Sequence, residues 1–268
     1  MRLSCAEIRK LCLKPNEAAK PLYARVVTHA LSTRLVWYLQ DVPGVTANRL
    51  TLASLAAALA AVPFFCAMTP LSALAGALCI EIYYVLDAAD GQWSRLKKTQ
   101  TKTGAFFDSL VTYIVEPALF GSIGWGLYNQ TGEVGYIALG ALTGFAALWL
   151  SLLWHARAAI FLYHIQRTDR VTVKNRILPA SAAAASGSGP ARTAFIWLQR
   201  SVTFPYTMNA LTLLCVIGFF AQNTGAMHFY LVFTFLAGAG AAVALTTVWI
   251  VRGKIDRDWS DVFDIQNP

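Results

Sequence analysis

Six stretches of the chain are apolar on every side of a helical projection: residues 50–68, 71–89, 105–128, 134–162, 204–222 and 228–251. Each approaches the roughly 20 residues that a helix needs to cross a hydrocarbon core. A helix without a polar stripe has no side to turn toward water, so its solvent is lipid or other helices. The pattern therefore predicts an all-α integral membrane protein with six transmembrane helices. Pro63 and Pro117 fall inside two of these stretches and predict kinks, which membrane helices tolerate where neighbours satisfy the freed carbonyl. Residues 21–41 are spaced differently. Leu22, Val26, Val27, Ala30 and Trp37 gather near one helical face, with Arg25, His29 and Arg34 among them. That spacing predicts an amphipathic helix lying in the membrane interface, with Trp37 and Tyr38 at headgroup level. Residues 180–190 (ASAAAASGSGP) are low in complexity and read as a mobile link. No internal repeat is visible.

Composition agrees with lipid as the solvent. Of 268 residues, 56% are hydrophobic and only 13% charged, against about 25% charged in soluble domains. The net charge of +8 would suit nucleic acid in a soluble chain, but its placement excludes that reading. The links at 68–71, 128–134 and 221–228 hold no Lys or Arg, whereas the N-terminal segment, the 90–104 loop, the 165–203 loop and the tail hold nearly all of them. Positive charge marks the cytoplasmic side, and an even number of spans puts both termini there. The expected organisation is a cytoplasmic N-terminal segment (1–45) carrying the interfacial helix, a six-helix membrane domain (46–251) with a cytoplasmic loop at 165–203, and a cytoplasmic tail (252–268). Residues 1–20 lack the apolar run of a cleavable signal peptide. The five cysteines are scattered without a C-x-x-C pair, which gives neither a disulfide framework nor a zinc site. Asn129-Gln130-Thr131 matches a glycosylation sequon and reads as a chance match.

Acidic residues near lipid are costly and mark function by default. Here they cluster, in the stretch DAADGQWSRLKKTQTKTGAFFDSLVT from Asp87 to Thr112. Asp87 and Asp90 share a helical face at the end of the second span, and Asp108 stands four residues after Gly104 at the start of the third. Three carboxylates converging at low dielectric stay ionised only if cations neutralise them. Hard oxygen ligands suit Mg²⁺, Mn²⁺ or Ca²⁺, and Mg²⁺ commonly shares its coordination with substrate phosphate. Arg95, five residues past Asp90, is suited to gripping a phosphate. Gly91 and Gly104 let a ligand approach the backbone. Metal, phosphate clamp and space together point to phosphoryl transfer.

At these residues the sequence resembles the CDP-alcohol phosphotransferase family, whose motif is D-x2-D-G-x2-A-R-x8-G-x3-D-x3-D. Asp87, Asp90, Gly91, Arg95, Gly104 and Asp108 match six of its eight fixed positions, with Ser94 in place of Ala and Thr112 in place of the last Asp. Thr46-Ala47-Asn48-Arg49-Leu50-Thr51 also looks like the P-N-x-x-T stretch with which the family opens its first span, Ala47 standing for Pro. The resemblance implies that Asp87, Asp90 and Asp108 bind two divalent metals, Mg²⁺ or Mn²⁺, on the diphosphate of a CDP-alcohol. It implies that Gly91, Ser94 and Gly104 line the cytidine pocket and that Arg95 contacts a phosphate. A hydroxyl acceptor attacks the phosphorus bearing the alcohol, and CMP leaves. CDP-diacylglycerol is the favoured donor, which places the reaction in phospholipid biosynthesis; a CDP-linked polar alcohol with a lipid acceptor is the other branch. A homodimer follows by analogy. A bacterial inner membrane, with the site facing the cytoplasm, fits the Ala-rich spans.

Thr112 is the departure with consequences. The family's last Asp serves as metal ligand and general base, and a threonine hydroxyl has no useful basicity near neutral pH. Glu116, one turn on, is the leading replacement base, although it lies about 80° around the helix from Asp108. Alternatively a metal-bound acceptor loses its proton without a dedicated base, or substrate phosphate takes it. The contrasting reading is a catalytically silent nucleotide- or lipid-binding membrane protein. His155, Arg157 and Asn209 are further polar candidates for acceptor recognition, Arg157 foremost.

Overall fold

The computed structural model describes residues 2–12, 23–167, 171–173, 206–251, 253, 255–257, 259 and 263–265. The helices in chain order are α1 (Cys5–Cys12), α2 (His29–Leu39, entered through a π-helical turn at Ala24–Thr28), α3 (Ala47–Ala67), α4 (Pro70–Leu96), α5 (Lys102–Thr131), α6 (Gly135–Arg167), α7 (Tyr206–Ala221) and α8 (Ala226–Val251). Five of them, α3 to α6 and α8, are long and apolar enough to cross a membrane. The sixth apolar helix, α7, has 16 described residues and begins where the described chain resumes. The 180–190 link, Leu22, most of the 165–203 loop and much of the 252–268 tail lie outside the described residues. One antiparallel pair of short strands, β1 (Val171–Val173) and β2 (Phe263–Ile265), joins the chain beyond α6 to the tail, with Thr172 opposite Asp264.

The helix boundaries follow local chemistry. Thr46, Thr69 and Thr101 each occupy an N-cap in extended conformation and accept a hydrogen bond from the third residue of the helix that follows. At Thr69 the bond is reciprocal, with Ser72 forming a capping box and Pro70 fixing the first helical φ. At its other end α5 stops at Gly132, whose φ of 75° permits the left-handed cap. Pro63 and Pro117 are both carried within continuous helices. Asn129, the sequon asparagine, donates its amide to the Cys66 carbonyl (3.1 Å).

In lipid, burying apolar surface does not drive helices together, so close packing and polar contacts must. α5 packs between α3 and α6, α4 against α3 and α7, and α8 against α6. The α5–α6 crossing is built on missing side chains. A Cβ on Gly140 would sit 2.6 Å from the Phe120 carbonyl oxygen and 3.0 Å from Gly124 Cα, and one on Gly144 would sit 2.8 Å from Pro117 Cα. Gly140 and Gly144 thus form a small-xxx-small stripe that lets two backbones touch.

α2 docks on α4. The face that α2 buries is polar: Thr28, His29, Ser32, Thr33 and Gln40 are buried with Val36, whereas Val26 is 60% exposed. The polar face meets α4. Gln92 donates to Ser32 Oγ (2.8 Å) and accepts from Thr33 Oγ1 (3.1 Å), and Lys97 donates to the Gln40 carbonyl (2.9 Å). Below them Tyr23 donates to Glu81 (3.0 Å), whose other oxygen accepts from Thr212 on α7 (2.8 Å). Partial burial, and then the Glu81 charge, push the Tyr23 hydroxyl up to about 12, so it remains a donor across the physiological range. These partners advance along both chains in the same sense, so α2 runs alongside the second half of α4. Of the residues expected to share the apolar face, Val26 is exposed, while Val27, Ala30 and Trp37 are half-buried.

Glycine-to-valine substitution at Gly140 is expected to force α5 and α6 apart, costing about 1–3 kcal/mol as overpacking does, and to lower the melting temperature in detergent. Gly240→Ala is the matched control: a Cβ there meets nothing within 4 Å, and its melting curve should overlay that of the wild type.

Candidate active site

α4 continues two turns past the end expected from hydropathy, to Leu96. Asp87, Asp90, Gly91 and Ser94 therefore lie on one uninterrupted helix at spacings that share a face. The chain turns through Lys98, with φ 54°, and re-enters as α5, whose second turn carries Asp108. The reversal brings the three carboxylates together. Asp87, Asp90 and Asp108 each present an oxygen within 4.8 Å of the others, with Asp90 buried, Asp87 half-buried and Asp108 exposed.

Asp90 is held from a third helix. Thr51 Oγ1 on α3 lies 2.5 Å from Asp90 Oδ2 and 3.0 Å from the Ala47 carbonyl. Its single proton serves one acceptor at a time, and the charged, closer carboxylate is the stronger. Asn48 of the same stretch reaches the opening turn of α5: a Cβ on Gly104 would stand 3.5 Å from Asn48 Oδ1 and 3.1 Å from Thr101 Oγ1. At Gly91 a Cβ would stand 3.2 Å from Arg95 Nη1 and 3.4 Å from Nη2, so the guanidinium lies over the bare backbone. Arg95 Nε donates to the Cys12 carbonyl at 2.5 Å, and Ser94 Oγ turns back to the Gly91 carbonyl at 3.1 Å. Gly91 and Arg95 thus meet on α4 beside Asp90, and Gly104 stands one turn before Asp108 on α5.

The donor set fits a hard divalent cation, being all oxygen and anionic, with neither thiolate nor imidazole in the group. Three carboxylates this close repel one another in a low-dielectric setting unless positive charge joins them. Arg95, in electrostatic reach of Asp90, supplies one unit.

Thr112 Oγ1 is 3.4 Å from the Asp108 carbonyl oxygen, one turn back on its own helix. Tyr83, only 3% exposed, is within electrostatic reach of Asp87, Asp108 and Glu116. Glu116 is 6% exposed, and its Oε2 is buried without a hydrogen-bond partner. Next to it Tyr113 Oη is 2.7 Å from His155 Nδ1, which is also 2.8 Å from the Ser151 carbonyl. Arg157 is directed elsewhere: its guanidinium stacks on Trp154 and Phe161, at 5.8 and 5.2 Å from the ring centroids. Asn209 lies half-buried near the start of α7.

Two contributors went unrecognised in the sequence. The threonine closing the 46–51 stretch carried a family signal, but nothing in one dimension assigned it to Asp90. Tyr83 precedes Asp87 by one turn on the same face, and that spacing could have singled it out.

Replacing Thr51 by valine keeps the shape and removes the donor to a buried carboxylate. Loss of a partner that orients a metal ligand costs about 10–100-fold in affinity. The expected result is Mn²⁺ binding weakened at least tenfold in a paramagnetic-resonance titration, with an unchanged melting curve; unaltered Mn²⁺ binding would detach Thr51 from the site.

A comparison with curated proteins returned no match. A family model described as CDP-alcohol phosphatidyltransferase matches residues 44–236, a span that takes in α3 to α7, all three carboxylates, Gly91 and Gly104. With well over half of its length matched, this chain belongs to the CDP-alcohol phosphatidyltransferase family.

Proposed function

We propose that the protein transfers a phosphatidyl group from CDP-diacylglycerol to the hydroxyl of a polar acceptor, releasing CMP. The family transfers a phosphatidyl group from a CDP-alcohol; the choice of donor and acceptor is our reading. The observation that carries it is the convergence of Asp87, Asp90 and Asp108 within 4.8 Å, beside Gly91, Gly104 and Arg95.

In this reading the carboxylates hold two divalent ions, Mg²⁺ or Mn²⁺. When bound, they neutralise the diphosphate and the oxygen that departs with CMP. The remaining work falls to the chain. Thr51 fixes Asp90, and Gly91 and Gly104 leave room for the nucleotide, with Ser94 on the same face. The Arg95 fork meets a phosphate oxygen. The acceptor oxygen forms a bond to the phosphorus bearing the lipid, the bond from that phosphorus to CMP breaks, and the acceptor's proton passes to Glu116. Glu116 qualifies because it is buried and one oxygen has no hydrogen-bond partner.

The same reading places α7 as a sixth span, both termini and the site on the cytoplasmic side of a bacterial inner membrane, and two copies in a homodimer. The Lys and Arg distribution supports the orientation. The threonine at 112, where the motif has its last Asp, favours one competing reading, a silent nucleotide- or lipid-binding protein.

The test is CMP release by purified protein in detergent, from CDP-diacylglycerol with Mg²⁺ or Mn²⁺ and a panel of polar acceptors. Release that needs both metal and one acceptor is expected; CDP-lipid binding without release would establish the silent reading. Asp108→Asn should abolish release together with a metal ligand. Glu116→Gln should slow it roughly a hundredfold or more, as loss of a general base does, and should remove the rise in rate with pH. A Glu116→Gln enzyme with the wild-type pH profile would take Glu116 out of the mechanism.

A further inference from the structure

α1 was not anticipated from the sequence, and it lies against the reverse side of the site. Ile8 and Cys12 are fully buried with Val36, Leu50, Ala89 and Trp93. Ala89 and Trp93 belong to the stretch of α4 that carries Asp90 and Arg95, so α1 braces that stretch. It is fastened at both ends. At its start, Leu3 gives its N–H to Gln40 Oε1 (2.9 Å) and its carbonyl accepts from Gln40 Nε2 (3.1 Å), a two-bond pairing across 37 residues of sequence. At its end, the Cys12 carbonyl accepts from Arg95 Nε at 2.5 Å. The last carbonyls of a helix have no partner within it and carry the negative end of its dipole, which makes them ready acceptors for a cation.

The bond to Nε has a geometric result. A guanidinium is rigid and planar, with five N–H groups in a fixed fork. Tying down Nε restricts the plane, and the Nη1 and Nη2 edge lies over Gly91, next in sequence to Asp90. A side chain already held in its binding orientation loses less freedom when a ligand arrives. From this arrangement we propose that α1 and Gln40 form a positioning clip for Arg95. The clip touches no substrate and acts through the guanidinium to strengthen binding of a nucleoside diphosphate. This rests on the reading that Arg95 meets phosphate.

The experiment measures binding of CDP by the full-length protein in detergent with saturating Mn²⁺, and of Mn²⁺ alone, for Ile8→Asp, Gln40→Ala, Arg95→Lys and the two double variants with Arg95→Lys. Ile8→Asp should weaken CDP about tenfold, the scale of one hydrogen bond to a charged group, and leave Mn²⁺ binding unchanged. Gln40→Ala should show the same pattern more mildly, and it decides the matter if Ile8→Asp fails to yield folded protein. Because the clip works through Arg95, each double variant should bind CDP no more weakly than Arg95→Lys alone. Additive losses, or losses shared by CDP and Mn²⁺, would show a merely structural helix and overturn the proposal. If Arg95→Lys is weak but both clip variants bind CDP normally, the clip alone is overturned. An Arg95→Lys protein that binds CDP as the wild type does overturns the phosphate reading and the clip with it.

Discussion

Repulsion among three carboxylates is the constraint around which this molecule is arranged. Left to themselves, Asp87, Asp90 and Asp108 would separate or take up protons, because a low dielectric magnifies like-charge contact. They are kept within 4.8 Å by elements that have little freedom to yield. α4 carries two of them one turn apart on a continuous helix, α5 returns the third after a short reversal, and α3 supplies the Thr51 hydroxyl that fixes the most buried. The α5–α6 glycine seam and the buried polar ladder between α2 and α4 hold these helices so that the cluster cannot relax by drifting apart. The site is therefore poised for cations and for the phosphates that accompany them.

What the sequence revealed and what it concealed follow from the range of each interaction. The apolar stretches needed only local composition, and the helices agree with them to within a few residues, except that α4 runs on to Leu96 because D-A-A-D-G-Q-W-S-R is helix-compatible although polar. The carboxylate cluster was legible because its spacing obeys helical periodicity on both sides of one tight reversal. Contacts between distant segments were not. Thr51 to Asp90 spans 39 residues and Cys12 to Arg95 spans 83, and no periodicity encodes either. α2 was legible as a helix, but the partners of its polar face were not. Beside a membrane, buried polar side chains gain by meeting one another, as Gln92 does with Ser32 and Thr33.

The substitution at Thr112 is accommodated structurally. In place of a fourth acid stands a hydroxyl 3.4 Å from the Asp108 carbonyl oxygen, and the loss of one charge from the cluster lessens its internal repulsion.

Glu81 connects two segments made at very different times. Tyr23 precedes it by 58 residues, and Thr212 follows it by 131. As the chain leaves the ribosome, Tyr23 is already synthesised when α4 enters the membrane, so one carboxylate oxygen can be satisfied at once. The other must wait for Thr212 on α7, so Glu81 ties the N-terminal segment and a late helix to α4, with α8 still to follow.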